Sequence, residues 1–544
     1  MHASSSTYAT RIRRFRLPRL CVAVIGLDAS SIIERAESVM RDNSFLEFRL
    51  DYLSQPLSAF PKLKNFLEMH PEVTVLATCR RHANGGEFRG SVANQLNILL
   101  RAADSGFQLV DLELQSAQAL KPQELRQLSD RVGVILSYHN FRNTKKLEDP
   151  FEEMRQYPAD FYKVVSTATN LYDNVVMMKF LEANSGKQEM IGLCMGEPGI
   201  ISRVLGVRAG SIFTFGAATR GEETGPGQAT ASELRDTYRI ESVDAATQVY
   251  GVAGDPVEHS LSPVMMNAAF RRETVNAVYL ALHAKNLKDL LACVHDIPIR
   301  GLSITMPYKQ AIVEELENSD PKTRQIGACN TVVRGVDGKL YGFNTDVAGI
   351  VVPLEQRMPL SGTSALLVGA GGVARAAAFG LKARGCEVFI TNRTPEKAQS
   401  LARQAKAKYI KRTEIAKQSF DVIINATPVG MGNGKQSPLE ERELNTKYVF
   451  DLVYVPAETR LIKMARAKGI QIIPGLEMFV QQGARQFEIW TGKPAPIAEM
   501  AYVVTKTLER QATEESIDKN NKRRSQRPTK KAVRKSTVAK KKRR

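Results

Sequence analysis

The sequence predicts an α/β protein: an N-terminal (β/α)8 barrel, then a two-lobed unit whose second lobe is a Rossmann domain, then a disordered basic tail. Three observations predict it. Eight strand-like runs recur between residues 20 and 217, mostly 20–35 residues apart with helix-length segments between them, the alternation of a closed parallel barrel. A glycine turn at 369–374 stands between an apolar strand and a helix, as dinucleotide binding requires. And 544 residues are too many for one hydrophobic core, so the chain divides into several domains.

The barrel runs lie at 20–26, 45–51, 73–80, 108–114, 132–139, 160–167, 189–196 and 211–217. The sixth, within DFYKVVSTA at 160–168, is aromatic, β-branched and apolar except for Lys163. A closed barrel has no edge strand, so this amine points either outwards to the helices or inwards to a pocket. The inward choice explains why a lysine interrupts an otherwise apolar strand.

Barrel function lies at the C-terminal strand ends and the loops after them. There the sequence places Glu47, Arg49 and Asp51 in and at the end of the second strand, Arg80 ending the third and His139 ending the fifth. Ser202 and Arg203 follow the seventh strand, and Thr224 and Gln228 follow the eighth. Neighbouring cations depress a lysine pKa and make a free, nucleophilic amine accessible.

These residues resemble the type I 3-dehydroquinate dehydratases over about 20–230. The motifs are ExRxD at 47–51, the Arg80…GlyGly segment, SYHNF at 137–141, FYKVVSTA at 161–168, MGEPGIISR at 195–203 and TGPGQ at 224–228. The resemblance implies that Lys163 forms a Schiff base with the C3 ketone of 3-dehydroquinate. It implies that His139 takes the C2 proton and returns one to the departing C1 hydroxyl. Arg203, Thr224 and Gln228 would hold the substrate carboxylate, and Glu47, Arg49 and Arg80 the ring hydroxyls and the loop. Two positions depart from the family pattern: Asn84 replaces the glutamate before the glycine pair, and Asn140 replaces the aspartate after the histidine. The glutamate normally orients and charges the histidine. With Asn84 accepting a hydrogen bond in its place, the expectation is a slower dehydratase rather than an inactive one.

In the second half, SALLVGAGGVARAAAFGLKARGCEVFITNRT at 364–394 reads strand, glycine turn, helix, strand. Gly369, Gly371 and Ala374 fill the fingerprint GxGxxG/A, with Ala370, Gly372 and Val373 between them, so a pyrophosphate can approach the backbone at a helix N-terminus. The second strand ends in Thr391, Asn392, Arg393 and Thr394. An NAD site would place an acid there; arginine beside small polar groups favours NADP.

Residues 248–505 resemble shikimate dehydrogenase through GDPVEHSLSP (254–263), GLSITMPYK (301–309), IGACNTV (326–332), YGFNTDVAG (341–349), INATPVGM (424–431), DLVYVPAETRL (451–461) and GLEMFVQQGARQFEIWTG (475–492). The resemblance implies that Lys309 and Asp346 are the catalytic pair. It implies that Ser260 and Ser262 hold the substrate carboxylate, and that Thr305, Asn330, Thr345, Asp346, Tyr454 and Gln482 bind its hydroxyls. It extends the cofactor site to Lys397, Thr427, Leu452 and Gly475. Met266 and Ser303 depart from the family's usual histidine and asparagine.

The two resemblances together imply one coherent function: dehydration of 3-dehydroquinate to 3-dehydroshikimate, then NADPH-dependent reduction to shikimate, with no metal. Two alternatives stand beside it. A quinate-preferring dehydrogenase with an impaired barrel shares most motifs, though keeping Ser260 and Ser262 argues for shikimate. A polyanion-binding protein with vestigial enzyme folds would have lost Lys163, His139, Lys309 or Asp346, and all are present.

The net charge of +19 is local. Residues 519–544 hold 14 Lys/Arg and no acid, and taking these from +19 leaves +5. Such a segment cannot bury a core. It offers non-specific polyanion contact but has no aromatic residue to stack on bases. Six scattered cysteines without metal-like spacing suit a reducing compartment, here the cytoplasm, with a plastid as the alternative because Met1–Leu20 is basic and serine-rich. No run is long and apolar enough for a membrane span. The expected domains are a basic extension at 1–19, the barrel at 20–235, a linker at 236–247, a substrate lobe at 248–350, the NADP lobe at 351–477, returning helices at 478–508 and the tail at 509–544.

Overall fold

A computed structural model describes residues 17–257 and 260–525. Eight parallel strands form the first unit: β1 (Leu20–Val24), β2 (Phe45–Arg49), β3 (Thr74–Thr78), β4 (Leu109–Glu113), β5 (Gly133–His139), β6 (Phe161–Thr167), β7 (Met190–Met195) and β8 (Thr214–Ala217). They pair in chain order, with β8 beside β1. The ring closes where the Ile212 amide donates to the Met190 carbonyl at 2.8 Å, beside a bridge between Met190 and Ser211.

Side chains alternate between the two faces of a strand, and this alone decides what the barrel encloses. Phe45, Leu76, Leu109, Ile135, Phe161 and Phe213 form an apolar layer inside. Phe45 meets Phe213 edge-on at 4.9 Å. Their neighbours Leu46, Ala77, Val110, Leu136 and Val164 face the helices. Two residues beyond five of these groups the chain turns polar, Glu47, Thr78, Asp111, Ser137 and Lys163 all being buried, while beyond Phe213 stands Phe215. The barrel is therefore dry and aromatic below and charged above.

The second unit opens with a mixed sheet of β9 (Gln248–Gly254), β10 (Ala277–His283), β11 (Ile299–Ile304), β12 (Asn318–Ser319), β13 (Thr331–Arg334) and β14 (Leu340–Phe343), ordered β10-β9-β11-β13-β14-β12. The third sheet is wholly parallel. Its strands are β15 (Ser364–Val368), β16 (Glu387–Thr391), β17 (Lys408–Tyr409), β18 (Phe420–Asn425), β19 (Thr446–Asp451) and β20 (Gln471–Pro474). Their order, β17-β16-β15-β18-β19-β20, is that of a doubly wound dinucleotide-binding sheet, with its crevice where the order reverses beside β15.

The barrel and the first dehydrogenase-like lobe share one apolar cluster, which runs from Leu20 to Val332. Polar contacts seal the seam. The Asp289 carboxylate accepts from the Leu171 amide at 3.0 Å, and Asp296 accepts from the Tyr172 hydroxyl at 2.7 Å and from Lys179 at 2.8 Å. His283, ending β10, lies 2.8 Å from Glu197 of the barrel and 2.9 Å from Asp255 of its own lobe.

Two boundaries differ from expectation. Residues 236–247, expected as a linker, are packed rather than loose: they form a short turn at Ile240–Ser242, with Ile240 and Val243 buried. The last helix runs from Ile497 to Ser525, past the boundary expected at 508. Eight of its added residues, 509–525, are Glu, Lys or Arg, which favour helix without needing a core. The rest of the basic tail, 526–544, and most of the basic extension, 1–16, lie outside the described residues. No helix among the described residues is long and apolar enough to cross a membrane.

Candidate active sites

In the barrel, Lys163 points inwards and its Nζ lies 3.0 Å from Asp111. Its other side faces the Phe215 ring, 3.8 Å from the centroid, a favourable place for a cation. Arg80 completes the cluster with a 2.9 Å contact to the same carboxylate, and Ser137 donates to it at 2.6 Å. Burial pushes the Asp111 carboxyl up, but Arg80 and Lys163 outweigh burial and hold it well below the usual carboxylate range.

Arg80 Nη1 also lies 2.6 Å from His139 Nδ1. A guanidinium can only donate, so the ring nitrogen facing it carries no proton. Burial first, then the charges of Arg80 and Lys163, hold the imidazole well below its ordinary value of 6.5. Arg80 thus holds the histidine in the position where Asn84 was expected to act. The Asn84 amide nitrogen is buried without a hydrogen-bond partner.

The remaining barrel residues divide by role. Arg49 grips Asp51 through two hydrogen bonds of 2.9 and 2.7 Å, and Asp51 also accepts from the Glu87 amide at 3.1 Å, which pins the loop after β3. Thr78 donates to Glu47 at 2.6 Å. The Gln228 side-chain oxygen accepts from the Thr224 amide at 2.7 Å and hydroxyl at 3.1 Å. Arg203 is 2% exposed, its Nε has no hydrogen-bond partner, and its Nη2 reaches the Pro226 carbonyl at 3.3 Å. Burial lowers its pKa to about 10. A buried guanidinium without a carboxylate is a place for an anionic ligand.

In the second unit Lys309 Nζ donates to Asp346 at 2.5 Å. The other Asp346 oxygen accepts from Asn330 at 2.8 Å, and Asn330 also meets Thr345 at 2.9 Å. Asp346 begins the helix Asp346–Glu355, where the helix dipole favours an anion. Behind this pair runs a buried chain of hydrogen bonds. Gln486 donates to the Asn330 carbonyl and to the Thr331 hydroxyl, both at 3.1 Å; Ser303 donates to Gln486 at 2.7 Å, and Tyr279 to Ser303 at 2.5 Å. Ser262 lies beside the Tyr279 hydroxyl, and its amide donates to Ser260 at 3.3 Å. Tyr454 stacks on Phe479 at 4.7 Å, and Gln482 donates to the Phe479 carbonyl at 2.8 Å. Thr305 packs on Gly254, at the end of β9.

The glycine turn of the third sheet suits a dinucleotide. Gly369 has φ +127, and a side chain there would collide with the Ala426 carbonyl. A side chain on Gly371 would enter open space, the room a pyrophosphate needs. The Lys309 stem lies against Gly372, where an added Cβ would come within 3.2 Å of its Cδ, so the catalytic candidate reaches the cofactor turn. Arg393 and Lys397 are exposed just beyond β16, and Asn392 donates to the Thr394 carbonyl at 3.1 Å. Thr427 donates to Asn425 at 2.7 Å, and Leu452 and Gly475 lie together at the ends of β19 and β20. Among the described residues no group of three or more His, Cys, Asp or Glu side chains could hold a metal ion.

Sequence reasoning missed Asp111, Thr78, Ser137, Tyr279 and Gln486. Strand alternation applied to LVDLE and to GVILSYH would have found the first and third, since each lies two residues beyond an inward apolar group. Gln486 stands one helical turn after Gln482. Asp111→Asn leaves two buried cations without their carboxylate. We expect it to destabilise the barrel by roughly 3–5 kcal/mol, read as a lower midpoint in urea.

Comparison with known proteins agrees with this division. Residues 20–245 match the type I 3-dehydroquinase family model, 252–332 the shikimate dehydrogenase substrate binding domain, 354–453 shikimate/quinate 5-dehydrogenase and 475–503 the shikimate 5'-dehydrogenase C-terminal domain. The chloroplastic bifunctional 3-dehydroquinate dehydratase/shikimate dehydrogenase of Arabidopsis thaliana is 34% identical over 504 residues, covering 88% of this chain and 83% of its own length. The NADP(+) shikimate dehydrogenase of Methanopyrus kandleri is 40% identical over 285 residues, 49% of this chain and 98% of its own. The solved dehydroquinate dehydratase and shikimate dehydrogenase from S. pombe aligns over 91% of this chain and 100% of its own, at 22% identity and TM-score 0.41. With a charged barrel site in its first half and a lysine–aspartate pair at a dinucleotide turn in its second, the chain belongs to the bifunctional 3-dehydroquinate dehydratase/shikimate dehydrogenase family.

Proposed function

We propose that the two steps are carried by Lys163 and His139 in the barrel and by Lys309 and Asp346 in the second half. The observation that carries the first assignment is the inward cluster of Lys163, Asp111 and Arg80 against His139. Lys163 Nζ adds to the C3 ketone of 3-dehydroquinate and water leaves, giving a cationic imine. Asp111, held ionised, stays beside it as counter-ion. The imine draws electrons from the C2–H bond, and His139 takes the proton. The C1 hydroxyl departs with a proton returned by His139, and water then releases 3-dehydroshikimate and the free amine. Arg203, with Thr224 and Gln228, holds the substrate carboxylate; Glu47, Arg49 and Arg80 face the ring and its loop.

In the second half, NADP(H) when bound exchanges hydride with the substrate carbon. This chain's own residues manage the rest. Lys309 and Asp346 hold the proton at the substrate oxygen, within hydrogen-bond reach of each other. Ser260 and Ser262 receive the carboxylate, and Thr305, Asn330, Thr345, Tyr454 and Gln482 the hydroxyls. The backbone of 369–374 meets the pyrophosphate, Asn392, Arg393, Thr394 and Lys397 the 2′-phosphate, and Thr427, Leu452 and Gly475 the nicotinamide end. We place the chain in the cytoplasm, on account of six buried free thiols, with a plastid as the alternative. The basic tail offers non-specific polyanion contact.

Borohydride added with 3-dehydroquinate should leave a reduced adduct on Lys163, found by mass spectrometry; an unmodified Lys163 peptide with retained turnover overturns the Schiff base. Because His139 is held well below 6.5, it stays a neutral base as pH falls through that value. The acid limb of dehydratase kcat/KM is therefore expected below 6.5, and a limb at or above it removes His139 from the role. Arg393→Ala should raise the KM for NADPH roughly ten- to a hundred-fold, the worth of one charge-assisted hydrogen bond, and leave that for NADH nearly unchanged.

A further inference from the structure

We propose that the substrate lobe carries a second ligand site, remote from both reaction centres, for a small flat ring bearing a phosphate group. The site is a cavity of about 370 Å³ at the N-terminal ends of β9 and β11, walled by Arg300, Arg334, Lys493, Trp490, Tyr250 and Thr274 among others. That volume suits a small molecule.

Its charge is one-sided. Three cations line it and no carboxylate does. Arg334 is held in place by backbone carbonyls, donating to Ile299 at 3.0 Å and to Val294, and Lys493 donates to the Glu273 carbonyl at 2.7 Å. Carbonyls orient these heads without neutralising them. Burial, and then the charge of Arg300, lower the Arg334 pKa, which marks two guanidiniums facing one space. A doubly charged phosphate would relieve that repulsion, take paired hydrogen bonds from Arg300 and accept from the N–H groups that the Ile299, Val294 and Gly338 carbonyls leave to Arg334.

The apolar wall is equally fixed. Trp490 donates to the Val332 carbonyl at 3.1 Å and lies over Gly301, where any Cβ would come within 2.4 Å of the indole nitrogen. Tyr250 packs against it at 5.3 Å. The indole is held between that backbone, Tyr250 and Tyr279, the last at 6.0 Å, and the part of it that lines the cavity is where a ring can lie. On the rim, Thr274 holds φ +53, an unfavourable conformation for a β-branched residue, of the kind that collects at ligand sites.

None of these residues belongs to the proposed machinery. Arg300 begins β11, whose far end leads to Thr305, and Trp490 stands eight residues beyond Gln482 in the helix Gly475–Thr491. Along that strand and helix the site is about 12–17 Å from Thr305 and Gln482, and Trp490 stands 6.0 Å from Tyr279, whose hydroxyl reaches Ser303.

Trp490 is the single tryptophan of the chain, so its emission reports on this cavity directly. Phenyl phosphate titrated into the full-length protein should shift Trp490 emission saturably, inorganic phosphate should bind more weakly, and benzyl alcohol should give no saturable shift. Arg300→Ala and Lys493→Ala should each weaken phenyl phosphate roughly tenfold or more, with shikimate turnover unchanged. No saturable shift, or one undiminished in both variants, overturns the site; equal affinity for inorganic phosphate overturns the ring requirement.

Discussion

Everything in the barrel depends on placing charge where water is absent. Lys163, Asp111 and Arg80 are each about 5% exposed or less, and a lone ion at such depth is strongly unfavourable. The cluster is tolerable because one carboxylate serves two cations and a serine hydroxyl, while an aromatic face covers the amine. The same arrangement keeps the imidazole neutral. Structural tolerance and chemical readiness are here one set of contacts.

The second half solves a different problem, that of holding a buried lysine–aspartate pair where two lobes meet. Lys309 comes from the loop after β11 and Asp346 from a helix start, and both meet at the glycine turn of another sheet. A small shift between lobes would draw the pair away from that turn. The buried chain from Tyr279 through Ser303 and Gln486 to Asn330 fixes one side of that meeting. Ser303 and Met266, which depart from the family pattern, are absorbed differently: the first joins this chain, and the second is packed in apolar surroundings.

Much of this was legible in the sequence, for reasons of periodicity. Eight runs make a barrel, and a residue's parity along its strand decides whether it faces inwards. Lys163 shares parity with Phe161 and Val165, both inside. The same parity turns Asp111 of β4 inwards, two residues beyond Leu109. Other features have no local signal. That Arg80 would seat the histidine, or that Gln486 would reach across to Asn330, 156 residues away in the chain, depends on which elements become neighbours. The length of the final helix was misjudged because charge suggested disorder where propensity sufficed for a helix.

The seam between the halves bears on how such a chain could ever be divided. Its apolar cluster continues from the barrel helices into the neighbouring lobe, and Asp289 and Asp296 of one half satisfy Leu171, Tyr172 and Lys179 of the other. Cutting within the short connection would leave each fragment with a raw apolar face and stranded polar groups. The two halves joined in this chain thus meet through a seam that each completes for the other.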